Sequence, residues 1–164
     1  MRAILAVVAL VAGVTAAAAQ ADRIDRAEIT QFGIYDFKVT NTEESTTAAG
    51  TLKSVDYKFA TKTTSVPARR GVGFGFEYRL VGVPKGATVP IRSVTIFPAG
   101  GVRNPKNGET FQRSEFVEDK KVGELHLKGY TLDDDWEIVP GTWILQIWLG
   151  DKLLAEKSFT LTKP

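Results

Sequence analysis

His126 is the only histidine in the chain, and it sits in the run Glu124-Leu125-His126-Leu127-Lys128. Any imidazole acid–base step or Ser-His-Asp triad would have to pass through this one ring. Its alternation with two leucines, however, reads as an outward-facing strand position among charged neighbours. The chain has no cysteine, so a thiol nucleophile and the usual Cys/His zinc set are both excluded. No Gly-x-Ser-x-Gly elbow occurs. Asp133-Asp134-Asp135 offers clustered oxygens of the kind a hard cation takes, but consecutive residues lack the alternate-residue ligand pattern of a calcium loop. A solvated turn is the preferred reading, with calcium at Asp133, Asp134 and Asp135 as the minority one. Gly71-x-Gly73-x-Gly75 falls inside a strand pattern, not before a helix that could hold a phosphate.

Binding groups are better supplied than reactive ones. Tyr35, Tyr130, Trp136, Trp143 and Trp148 could form a stacking platform for a sugar or a peptide. Trp143 shares a strand face with Leu145 and Ile147 and is assigned to the core, while Trp148 lies on the opposite face. Trp136, beside three aspartates, is expected to be the accessible one. Arg69-Arg70 stands at the mouth of the strongest strand, where a dibasic pair could hold an anion or a partner's carboxylate. The candidate contact residues are therefore Trp136, Arg69, Arg70 and Tyr35. No pair of carboxylates stands apart as a glycoside-hydrolysing couple, and neither a catalytic residue nor a cofactor is assigned.

These residues ride on strands. Val72, Phe74, Phe76, Tyr78 and Leu80 line one face of a run whose other face carries Gly71, Gly73, Gly75, Glu77 and Arg79. Side chains alternate across a strand, so one face is an apolar stripe, and the bare glycine end of the other admits a bulky neighbour. Trp136 to Gly141 leads into an apolar strand over Thr142–Leu149, a Gly150-Asp151 reversal and a closing strand from Lys152 to Leu161. That is a β-hairpin. Further strands are expected over Phe32–Val39, Val55–Phe59, Thr88–Phe97, Thr110–Glu118 and Glu124–Thr131. Pro90 cannot donate to a ladder, so its strand should begin after it or lie at an edge. The polar stretch Asn41–Gly50 is expected to be a loop. No window of helical length shows a 3.6-residue apolar period. Short strands punctuated by Gly and Pro predict an all-β, antiparallel immunoglobulin-like sandwich of about seven to nine strands.

Met1-Arg2, an apolar run from Ala3 to Val14 and the small residues of Ala19-Gln20-Ala21 form the three parts of a cleavable signal peptide. The run is shorter than the ~20 residues of a membrane-spanning helix. Cleavage is placed after Ala21, leaving one domain over residues 22–164 with a core at about 28–162. A domain of this size buries enough surface to do without disulfides. The leader carries one arginine and no acid, so the net charge of the remainder drops from +2 to +1. Near-neutrality offers no electrostatic case for nucleic acid or an anionic membrane. A periplasmic location follows, with secretion beyond it as the alternative.

Several short motifs, in order, carry a family resemblance. They are Gly33-Ile34-Tyr35-Asp36, Val66-Pro67-Ala68 before Gly71, Phe74-Gly75-Phe76-Glu77-Tyr78, Phe97-Pro98, and Asn104-Pro105 through Gly108-Glu109. Trp136 through Trp143 and Leu154 through Phe159 complete the set. With them the chain, from about Phe32 to Leu161, resembles a bacterial family of exported or envelope-associated immunoglobulin-like domains described only as a domain of unknown function. The resemblance implies an antiparallel sandwich and brings no catalytic residues with it. The expected activity is that of a non-catalytic binding or adaptor module for a protein or an envelope glycan. The runner-up is a carbohydrate-active or hydrolytic protein using turn carboxylates and Trp136, and a calcium-stabilised structural module is third.

Overall fold

A computed structural model describes residues 23–163; the assigned leader lies outside the described residues. The strands are β1 (Arg23–Glu44), β2 (Thr51–Thr61), β3 (Ser65–Pro67), β4 (Gly73–Val83), β5 (Thr88–Ile96) and β6 (Val102–Arg103). They continue with β7 (Thr110–Phe111), β8 (Arg113–Lys121), β9 (Leu125–Thr131), a 3₁₀ turn at Asp135–Glu137, β10 (Gly141–Leu149) and β11 (Lys152–Thr162). One sheet runs β2-β1-β4-β9, a second runs β3-β11-β10-β5-β8, and β6 and β7 form a small ribbon. All pairings are antiparallel except the short one between β3 and β11.

The apolar stripe of β4 behaves as its alternation demands. Phe74, Phe76, Tyr78 and Leu80 are buried against Trp143, Leu145 and Ile147 of β10 and Phe159 and Leu161 of β11. Trp143 is the hub: its ring lies edge-on to those of Phe74, Phe97 and Tyr130, with centroids 5.8, 4.9 and 4.9 Å away. Edge-to-face pairs at this spacing add to the gain from burial alone. The hairpin of β10 and β11 turns at Gly150 and Asp151, as the Gly-Asp signal requires.

The glycine face of β4 is filled from outside. The ring of Tyr35 lies across it: a Cβ on Gly73 would stand 2.5 Å from that ring, and one on Gly129 of β9 would stand 2.3 Å from the Tyr35 hydroxyl. Tyr35 is thus 3% exposed. It is not the accessible contact residue its sequence position suggested, because the glycines of β4 and β9 leave a slot that its side chain fills.

Three further expectations are corrected. The stretch Asn41–Gly50 is not all loop: β1 continues to Glu44 and pairs with β2 as far as Thr51. A polar hairpin that protrudes from its sheet has no core face, so it shows no apolar alternation to read. Beyond Tyr35 this hairpin becomes an arm, and irregularities at Ile34/Tyr35 and Val39/Asn41 are the points where bulges bend a strand. Its tip docks on β8 of the far sheet and on the loop after β6: the Ala48 N–H donates to Ser114 Oγ and Asn104 Nδ2 donates to the Ala48 carbonyl, both at 2.9 Å. Secondly, β5 is an interior strand, and Pro90 lies within it. β10 pairs with β5 only from Arg92 to Ile96, so Pro90 sits where β8 is the one neighbour and its missing N–H breaks no second ladder. The third correction, the facing of β9, belongs to the site below.

The slot occupied by Tyr35 gives a direct test. Gly129→Ala should destabilise the domain by about 1–3 kcal/mol through overpacking, measured as a shift in urea midpoint. In a Tyr35→Phe background the penalty should fall by at least half, because the nearest clashing atom is gone.

Candidate functional site

β8 and β9 are end strands of opposite sheets. Between them and the arm opens a cleft of about 550 Å³. Its interior is polar because of how β9 is turned. Phe74 pairs with Tyr130, Phe76 with Lys128 and Tyr78 with His126, and directly opposed residues share a face. Tyr130, Lys128 and His126 therefore all face inward, while Leu125 is left 46% exposed. This corrects the outward placement of His126. Tyr130 packs on Trp143 and Gly129 must sit under Tyr35, and those two demands outweigh the burial of two leucines at a strand edge. The His126 Nε2–H donates to the Lys121 carbonyl at 2.8 Å, and the ring stands 5.5 Å from that of Tyr78.

Lys128 is the residue that sequence reasoning missed. It is 4% exposed. Its Nζ donates to Thr95 Oγ1 at 2.9 Å and lies 5.8 Å from the ring of Phe116. Among the described residues no carboxylate comes within ion-pair distance of it. Burial pushes its pKa down to about 7, against an opposing pull from the Glu118 charge. Glu118 is itself engaged by Lys120 at 2.8 Å. The buried Tyr78 hydroxyl, one diagonal position away, has no hydrogen-bond partner among the described residues, and burial raises its pKa. Ser93 and Thr95 of β5 and Ser114 of β8 supply hydroxyls along the same cleft.

The aspartate turn closes the arm end of the cleft. Asp133 Oδ2 pairs with Lys53 Nζ of the arm at 2.6 Å, Asp134 with Lys106 at 3.8 Å, and Asp135 with Arg70 at 3.8 Å. Arg70 Nε also donates to the Asp133 carbonyl, and Trp136 Nε1 donates to Asp134 Oδ2. Each carboxylate thus faces a cation from a different segment. The turn is held from within by Glu137, 1% exposed, which accepts from the Tyr130 hydroxyl and from the Asp133 and Asp134 N–H groups at 2.8–2.9 Å. Burial pushes the Glu137 carboxyl pKa up, while those bonds pull it down. Of the sequence-predicted contact residues, Arg70 and a half-buried Trp136 meet at this turn. Arg69 is exposed, and Tyr35 is buried.

Two packed sheets, a cross-sheet tryptophan hub and a polar cleft at one open side define an immunoglobulin-like domain. An immunoglobulin-like protein from Pseudomonas aeruginosa, known from a crystal structure, is 29% identical to this chain. The match covers 84% of this chain and 97% of that one, with a TM-score of 0.56. The family model described as "Domain of unknown function (DUF3859)" matches residues 24–161, and the chain belongs to that family. No curated protein matches it.

Two outcomes check this description. Glu137→Ala should cost about 2–4 kcal/mol in a denaturant titration, since it strips two buried N–H groups and a phenol of their shared acceptor. Lys128→Met should change the pH profile of stability. Below pH 7 the folded and unfolded chains both hold the lysine proton, so the penalty of burying the ammonium is felt in full. Between about 7 and 10.5 the folded chain sheds the proton first, and wild-type stability climbs with pH. The variant should therefore be the more stable protein below pH 7, with its advantage shrinking by up to about 1.4 kcal/mol per pH unit above it. Paired thermal melts across that range read the difference.

Proposed function

We propose that the protein is exported, loses residues 1–21, and acts in the periplasm as a non-catalytic binding module that seats an extended segment of another protein in the cleft. The supporting observation is the cleft's position between two end strands, β8 and β9. End strands carry unpaired N–H and C=O groups, to which an extended peptide can add as a further strand. Apolar side chains stand next to both: Val117 is 62% exposed, and Leu125 projects beside the β9 edge. A protein segment fits these ladders better than an envelope glycan, which has no backbone amides to offer them. The leader of Met1 to Ala21 supports the compartment.

Site-specific photo-cross-linking in intact cells tests the reading. Benzoylphenylalanine at Val117 or Leu125 should capture one protein species, and Val55→Trp, which fills the cleft from the arm side, should abolish capture. The same probe at Leu153, which is exposed away from the cleft, should capture none. Equal capture from all three positions would sink the proposal. So would labelling of Thr95 by a β-lactone, which would mark the Thr95–Lys128 pair as an activated nucleophile. The mature chain should begin at Asp22 and fractionate with the periplasm.

A further inference from the structure

Lys128 is an oddity that the packing of the sandwich does not explain. An ammonium has three donors, yet among the described residues Nζ has one acceptor, the hydroxyl of Thr95. A buried charge without a counter-ion is costly, and an aliphatic side chain would fill the same inward position of β9 without that cost. The groups facing it compensate only in part: the Glu118 charge favours the ammonium, but burial outweighs it. On β9, His126 is committed to the Lys121 carbonyl and the Tyr130 hydroxyl to Glu137. On β8, Glu118 is held by Lys120. On the arm, Lys53 is paired with Asp133, and from β4 the Tyr78 hydroxyl is a second buried donor with no acceptor. β5 offers only the neutral Ser93 and Thr95. Two of the amine's three donors and the Tyr78 phenol therefore lack acceptors among the described residues, and Lys128 lines a cleft of about 550 Å³.

We propose that Lys128 is the anchor for a carboxylate carried by the bound peptide, received into the cleft as the counter-ion the fold leaves out. This rests on the reading of the cleft as a peptide site and names the group that site recognises. An incoming carboxylate forms a charge-assisted hydrogen bond with the ammonium, so binding draws a proton onto Lys128 whenever the free amine is neutral. Because the free amine titrates near pH 7, affinity should be flat below that pH and fall by up to tenfold per unit above it. A peptide carboxylate stays ionised throughout this range and adds no slope of its own.

The test is an NMR titration of the wild-type protein carrying ¹³Cε-labelled lysine, followed with and without three probes. Acetyl-Gly-Gly-Gly offers a terminal carboxylate, acetyl-Gly-Glu-Gly-amide offers a side-chain carboxylate, and acetyl-Gly-Gly-Gly-amide offers neither. At least one of the acids should raise the Lys128 midpoint by one unit or more, equivalent to tenfold tighter binding to the protonated protein. Whichever acid acts identifies the source of the carboxylate. A midpoint unmoved by both acids at tens of millimolar, or moved as far by the amide, overturns the proposal. Lys128→Met, if folded by circular dichroism, should lose binding of the active acid at least tenfold. The wild-type titration decides the matter without it if the variant fails to fold. Cross-linking from Val117 that persists alongside an unmoved midpoint would leave the cleft reading standing and remove this one alone, whereas failure of both would remove the cleft reading itself.

Discussion

The contact between Tyr130 and Trp143, with ring centroids 4.9 Å apart, sets more of this molecule than any other interaction. Trp143 is wholly buried at the junction of the two sheets. Placing Tyr130 against it commits one side chain of β9 to the interior. Strand faces alternate with a period of two, so that single commitment turns the whole strand. Lys128 and His126 must follow Tyr130 inward, and Leu125 and Leu127 must face the other way. The same tyrosine carries its hydroxyl to Glu137, which orders the turn holding Asp133, Asp134 and Asp135. The polar wall of the cleft and the acidic turn at its end thus depend on one aromatic ring.

The opposite side of the same sheet is governed by absence. Gly73, Gly75 and Gly129 leave no side chains on neighbouring positions of β4 and β9, and Tyr35 lies over Gly73 and Gly129. From that point the hairpin of β1 and β2 departs from the sheet and crosses to Ser114 and Asn104. Without the arm, the open side between β8 and β9 would lack its third wall; with it, the cleft encloses about 550 Å³. The cleft is an expensive feature by the standards of a sandwich interior. Ser93, Thr95 and Lys128 occupy inward positions that aliphatic side chains would fill with greater stability. Local departures from good packing of this kind concentrate at functional or strained sites.

Legibility varied with how strongly a segment's own pattern spoke. The β10–β11 hairpin and the inward stripe of β4 were readable because apolar alternation and turn residues agreed. Trp143 was placed in the core on the same grounds. β9 misled because its first half, Leu125-His126-Leu127-Lys128, alternates one way, while Gly129-Tyr130 demands the other. Nothing local says which half prevails. Tyr35 misled for a related reason: its burial comes from glycines about forty and ninety residues further on, not from its own neighbours. Arg70 was read as a group that could hold an anion or a partner's carboxylate; in the structure it stands 3.8 Å from Asp135 of the same chain. Lys128 gave no signal at all, since a lysine in an alternating strand reads as solvated.

By itself, the sequence determined an all-β chain: where the strong strands run, which face of β4 and β10 is apolar, and the lack of a thiol or a second histidine. Those properties reside in single segments, where side-chain period and turn chemistry act over a few residues. Only the tertiary structure decided which way β9 faces, what covers the glycines, and which residues line the cleft. Those outcomes follow from competition between distant segments for the same buried space. The large ring of Tyr130, packed beside Trp143, prevails over two leucines at an edge and carries Lys128 inside with it.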